Sequence, residues 1–96
     1  MNFILSKHSR DGKLFLNIVD LELKDKILEN DTIKIDLTEK FYQGEEVDGQ
    51  EISTLFEQAY SIQFIGNNSI ELGKQHDLVE TVSEVEKVKY AFVIRM

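Results

Sequence analysis

Two apolar-rich runs, 2–8 and 14–19, lie near the start of the chain, and the link between them contains Asp11-Gly12. An Asp-Gly pair between such runs favours a two-residue hairpin turn, because both positions accept a positive φ. With that turn Leu5 faces Ile18 and Lys7 faces Leu16. Phe3, Leu5, Leu14, Leu16 and Ile18 then share one side, the expected core face. Asp20 stands where it can cap a short helix over 21–28, in which Leu23 and Ile27 stack at i and i+4. Strict alternation at 32–37 predicts a strand that buries Ile33, Ile35 and Leu37.

The next run, 41–52, holds two adjacent aromatics, two glycines and four carboxylates. Thr38 is placed to cap one helical turn over 39–42, and Gly44 to close it in the left-handed conformation. Asp48 precedes Glu51 by three residues, the spacing of a capping box, so a helix starts near Gly49. Ile52, Leu55, Phe56 and Ala59 recur at i, i+3, i+4 and i+7 and give that helix one apolar face. The strand-like run 61–65 stops at Gly66-Asn67-Asn68. Asn68 with Glu71 repeats the capping geometry and opens a helix over 69–76, weakened by about 1 kcal/mol at Gly73. Segment 78–85 fits helix or strand. The run 88–96 is apolar on both faces and reads as a strand inside a sheet, covered on two sides. The expectation is an α+β fold: a single domain over 1–96, with a mixed five- to six-stranded sheet, an N-terminal β-hairpin and about three helices.

Composition narrows the function. A chain of 96 residues buries only roughly 60–65% of its unfolded surface, which predicts one core. The net charge of −7 opposes unaided binding to a polyanion, though a local basic contact is compatible with it. Cysteine is absent, which excludes disulfides, thiolate nucleophiles and cysteine-type zinc sites. No run approaches the roughly 18 apolar residues that span a membrane. The first residues lack the charged and apolar regions of a secretory signal, so a cytoplasmic location is expected.

Two places carry candidate chemistry. Lys7, Arg10 and Lys13, with His8, make the hairpin tip locally basic. Such a tip can meet RNA phosphates, and equally can protect a sheet edge. Phe41 and Tyr42, with Gly44 and Glu45, form a candidate partner-binding loop in which the aromatics act as a stacking platform. The plainer reading puts Phe41 in the core with Tyr42 half-buried. Glu45, Glu46, Asp48 and Glu51 do not have the spacing of a calcium loop and read as a solvated acidic segment, so no metal or cofactor is assigned. His8 and His76 lie on separate predicted elements and no serine sits in a nucleophile elbow, so no catalytic residue is nominated. Gly66-Asn67-Asn68-Ser69 at a helix start lacks the lysine and further glycines of a phosphate loop.

Three segments together resemble a known family: Phe41-Tyr42-x-Gly44-Glu45 with Val47-Asp48, the Ile65-Gly66 step before a helix, and the closing run from Tyr90 to Met96. They are similar to small archaeal proteins grouped as domain of unknown function four hundred and twenty-four, over nearly the whole chain. Gln43 and Glu86-Lys87 stand where that family carries glycines. The resemblance implies an uncharacterised archaeal cytoplasmic protein with no assigned reaction. The reading that follows is a non-enzymatic binding protein, associated with RNA or the ribosome. The alternative is a protein-interaction module or homodimer that uses apolar surface near Tyr42 and Phe56 and touches no nucleic acid.

Overall fold

The computed structural model describes residues 1–95. A turn at Asp11-Gly12, with φ of 53° and 77°, joins β1 (Asn2–Arg10) to β2 (Lys13–Asp20). Its register sets Leu5 opposite Ile18 and Lys7 opposite Leu16, as the two-residue turn requires. The hairpin lies within a six-stranded sheet that also contains β5 (Glu45–Asp48), β6 (Ala59–Ile65), β7 (Ser83–Val85) and β8 (Val88–Ile94). The order is β5-β1-β2-β6-β8-β7. Strands β2 and β6 are parallel and the other pairs antiparallel, so the sheet is mixed. A parallel pair needs a long crossover, and the chain between β2 and β6 uses it to build a second layer. In that stretch β3 (Ile27–Glu29) and β4 (Lys34–Asp36) pair as a separate two-stranded sheet.

Alternation gives the large sheet two faces. On the first, Phe3, Leu5, Leu16, Ile18, Ile62, Phe64 and Ala91 pack under α1 (Gly49–Ser53), a 3-10 turn at Phe56–Gln58 and α2 (Asn67–Gln75). On the second, Ile4, Val19, Ile65 and Val85 pack with Leu23, Leu28, Ile35 and Leu37 from the small sheet and its flanks. The chain therefore has two apolar clusters where its size predicted one core.

Several local expectations change. The helix expected over 21–28 is a 3-10 turn, Leu21–Leu23, followed by β3. Asp25, at a φ of 62°, turns the chain out of helical geometry. The helix expected from Gly49 through Ala59 is the single turn of α1 plus the 3-10 turn at Phe56–Gln58, because Ala59 is drawn into β6 opposite Leu14. Ile52 and Phe56 are still buried, and Asp48 does accept from the Glu51 N–H at 2.8 Å. There are thus two α-helices among the described residues, not about three. Thr38 caps nothing, since its N–H and hydroxyl both donate to Asp36; the turn at Lys40–Tyr42 starts after Glu39. Glu86 and Lys87, at φ of 50° and 66°, make the β7–β8 turn in a conformation that favours glycine. The strand expected over 88–96 is β8, but it is not covered on both sides: Phe92 is 60% and Ile94 52% exposed, because the small sheet covers only the end near Tyr90. Its expected last residue, Met96, lies outside the described residues.

The start of α2 is held from a distance. Asn68 does not cap it; the N-cap is Gly66, and the missing acceptor comes from Asp20 at the end of β2. The Asn68 N–H donates to Asp20 Oδ2 at 2.9 Å, and the Ser69 N–H and hydroxyl both donate to Oδ1 at 2.7 Å. Burial pushes the Asp20 carboxyl above its ordinary range, against the pull of the bonds from Ser69 and Asn68. A helix N-terminus with its free N–H groups is one of the few buried places that suit such a group. Gly66 makes room for it, with a φ of 117° and a position where an added Cβ would lie 2.2 Å from the Asp20 carboxyl carbon.

Asp20→Ala leaves the two buried Ser69 donors and the partly buried Asn68 N–H without an acceptor and should lower the unfolding free energy by about 2–3 kcal/mol. Gly66→Ala should have a comparable effect, from strain at positive φ and the clash. Urea titration of the double variant should give less than the sum, since both changes act on one contact; additive losses would separate the two residues.

Candidate functional site

The second sheet face changes character along its strands. One row across β1, β2, β6 and β8, set by the strand registers, reads Ile4, Val19, Ile65 and Tyr90 and lies beneath the small sheet. The next row is Ser6, Asn17, Gln63 and Phe92, and the one after it His8, Phe15, Ser61 and Ile94. These two rows extend beyond the small sheet, so polar and aromatic side chains stand where apolar ones would otherwise be covered.

Segment 40–42 covers part of the polar row by a single point. The Phe41 carbonyl accepts from His8 Nε2 at 2.8 Å, from Ser6 Oγ at 3.1 Å and from Asn17 Nδ2 at 3.2 Å. Asn17 Nδ2 also donates to Ser6 Oγ at 3.1 Å. A carbonyl only accepts, so His8 carries its proton on Nε2. Ser6 and Asn17 are buried; without this acceptor the Ser6 hydroxyl would have nothing to donate to and Asn17 Nδ2 would keep only Ser6 as a partner, which is unfavourable in a buried place.

With its carbonyl turned to the sheet, Phe41 sends its ring outward, 45% exposed. The expectation that Phe41 fills the core is therefore overturned, while Tyr42 is half-buried as expected. The Phe41 ring stacks on His8 at 4.6 Å, with planes 10° apart, and meets Tyr42 edge-on at 5.2 Å. His8 pairs with Phe15 across the hairpin, and Phe15 meets Tyr60 edge-on at 5.6 Å. Lys13 Nζ sits 4.4 Å from the centre of the Tyr60 ring, within cation–π reach. Tyr42, Phe41, His8, Phe15 and Tyr60 thus form an aromatic strip that ends in a cation.

The three expected cations are not brought together. Arg10 and Lys13 pair at the hairpin end and project with His8 and Phe15, whereas Lys7 pairs with Leu16 and projects from the opposite face. The expected loop of Phe41, Tyr42, Gly44 and Glu45 is divided as well. Gly44 is not left-handed; it passes so close to β1 that an added Cβ would lie 2.0 Å from the Leu5 carbonyl oxygen. Glu45 starts β5 and pairs with Leu5. Only Phe41 and Tyr42 belong to the aromatic strip. The pattern did not single out Asn17, Gln63 or Phe92, although polar Asn17 and Gln63 each interrupt an apolar strand run, a signal of special local pairing.

Next to the strip is a cavity of about 300 Å³, lined by Ile33, Ile35, Tyr42, Gln63, Tyr90 and Phe92 among others. Burial pushes the Tyr42 phenol up, the Glu39 charge adds to this, and the Gln63 amide opposes it. A second groove of about 620 Å³ lies between α1 and α2, with Asp48, Glu71 and His76 in its wall. Among the described residues no group of three His, Cys, Asp or Glu could hold a metal, and no helix is long and apolar enough to cross a membrane.

A family model described as "Protein of unknown function (DUF424)" matches residues 8–96. A solved structure, that of an uncharacterized conserved protein from Methanopyrus kandleri, is similar at a TM-score of 0.78 and 16% identity, covering 100% of this chain and 95% of that one. At that identity the likeness is one of fold. No curated protein matches.

Asn17→Ala removes one of the donors that hold the Phe41 carbonyl and leaves a small void beside Ser6. Thermal unfolding should show a loss of about 1–3 kcal/mol. The Tyr42 and Gln43 amides, which donate to the Glu39 and Lys40 carbonyls in this turn, should exchange with solvent faster while amides in α2 are unchanged. A variant as stable as the parent would mean that the Phe41 carbonyl does not depend on Asn17.

Proposed function

The chain belongs to the family described as protein of unknown function (DUF424), a membership that assigns no reaction, and we propose that it is a non-enzymatic protein that binds single-stranded RNA across the open half of the second sheet face. It would do so in the cytoplasm, with ribosomal RNA as one such strand. The observation that carries the reading is the aromatic strip from Tyr42 to Tyr60, with Phe92 exposed on the same face. Unpaired bases stack on aromatic side chains presented by a sheet, and each stacked base contributes about 1–3 kcal/mol. Arg10 and Lys13 at one end supply phosphate contacts. The net charge of −7 weakens long-range attraction, so stacking provides most of the affinity and duplexes, whose bases are already stacked, bind poorly.

Fluorescence anisotropy with a labelled single-stranded RNA tests this. Affinity should fall roughly tenfold between 50 and 200 mM salt, as two or three phosphate contacts require. Phe41→Ala should weaken binding by about tenfold or more and Arg10→Glu should reduce it further, whereas Lys7→Glu, on the opposite face, should leave it nearly unchanged. Absence of binding at 50 mM salt, or equal losses from Lys7→Glu and Arg10→Glu, would reject the reading.

A second reading, self-association, has its own support. Strand β7 pairs with β8 only as far as Tyr90, so residues 91–94 offer an open edge beside the exposed Phe92 and Ile94. Open edges pair readily with another strand. Phe56, once expected to contribute to such a surface, is buried and does not. Sedimentation at equilibrium should then give the mass of two chains, reduced to one by Phe92→Lys; a single-chain mass for the parent removes this reading.

A further inference from the structure

The cavity beside the strip contains one group that its surroundings leave without a partner. Among the described residues Gln63 Oε1 is buried and accepts no hydrogen bond. The same amide acts on the neighbouring Tyr42 phenol, opposing its upward shift, and its oxygen remains a vacant acceptor. An acceptor of this kind is unfavourable until a donor reaches it. The surrounding walls are aromatic and aliphatic: Tyr42, Tyr90 and Phe92, with Ile33 and Ile35. At about 300 Å³ the space is at the small end of ligand pockets. It suits one planar ring system and is too small for a folded peptide segment.

We propose that this cavity is a base-reading pocket, in which Gln63 Oε1 accepts from the exocyclic amino group of an amino-bearing base (adenine, cytosine or guanine) while Tyr42, Tyr90 and Phe92 hold the ring. The inference rests on the RNA-binding reading and adds base preference to it. Three observations converge. The pocket adjoins the aromatic strip through Tyr42, so a strand stacked on Phe41 delivers its neighbouring base here. Its vacant group is an acceptor suited to a projecting amino group, which adenine, cytosine and guanine carry and uracil, whose only base donor is a ring N–H, does not. Lys34 also lines it, on the side away from Arg10 and Lys13, where it can meet the phosphate that follows the captured base. A carboxamide beside an aromatic wall reads a base edge through hydrogen-bond geometry that a purely apolar slot lacks.

The test compares oligomers of equal length made of adenosine, uridine or purine riboside, the last an adenosine without its amino group, together with adenosine monophosphate. The parent protein should bind the adenosine oligomer about five- to tenfold more tightly than the purine riboside oligomer, the effect of one buried hydrogen bond, and should discriminate against uridine at least as strongly. In Gln63→Leu the adenosine and purine riboside oligomers should bind alike, with purine riboside affinity close to the parent value, which shows that the variant is folded. Equal binding of adenosine and purine riboside oligomers by the parent, or a preference for uridine, overturns base reading while leaving RNA binding in place. Failure of every oligomer to bind overturns both. Monophosphate binding as tight as that of the oligomer would assign the pocket to a free nucleotide and overturn its role in reading a strand.

Discussion

A single carbonyl oxygen, that of Phe41, determines how far the second sheet face is covered. Buried Ser6 and Asn17 lie on that face and have to be satisfied, and the carbonyl meets both while also accepting from His8. This fixes segment 40–42 at the boundary between the apolar row beneath the small sheet and the rows beyond it. Were those rows apolar, the small sheet could extend across them and the face would close. Because they are polar and aromatic, the covering layer stops and the Phe41 ring faces solvent, stacked on the imidazole that holds its own carbonyl. The chemistry of the site is therefore a consequence of how the fold satisfies three side chains.

The scaffold beneath is stiff for a related reason. The parallel pair β2–β6 lies at the centre of the sheet, and the Asp20 carboxylate at the end of β2 binds the first turn of the helix that follows β6. This bond ties the hairpin, the crossover and α2 into one unit. Sites carried on strands keep their spacing better than sites on loops. His8, Phe15, Gln63 and Phe92 are all strand residues, and only Phe41 and Tyr42 come from a turn.

Much of the fold was legible because short-range pattern and long-range packing agree. The hairpin register follows from a two-residue Asp11-Gly12 turn between two apolar-rich runs, and the burial of Ile52 and Phe56 follows from their spacing. Where pattern failed, a distant partner had taken over. Asp20 looks like a local cap because it precedes an apolar stretch, yet its donors come from 48 residues away. Ala59 completes a helical period but is captured by strand pairing with Leu14. Leu23 and Ile27 stack plausibly in a helix until β4 offers Ile27 and Leu28 a ladder. The site was half legible. Phe41, Arg10 and Lys13 could be nominated from residue type, but Lys7 is separated from them by strand parity. Gln63 and Phe92 gain meaning only from a cross-strand row that no single segment contains.

The account stands on the open half of the second sheet face being the surface that meets a partner. Heteronuclear NMR of the full chain during titration with a single-stranded RNA measures this directly. The account requires the largest shifts at the backbone amides of 41, 42 and 92 and at the side-chain amides of Asn17 and Gln63, with α1 and α2 silent. Shifts confined to the groove between α1 and α2, around Glu71 and His76, would contradict it.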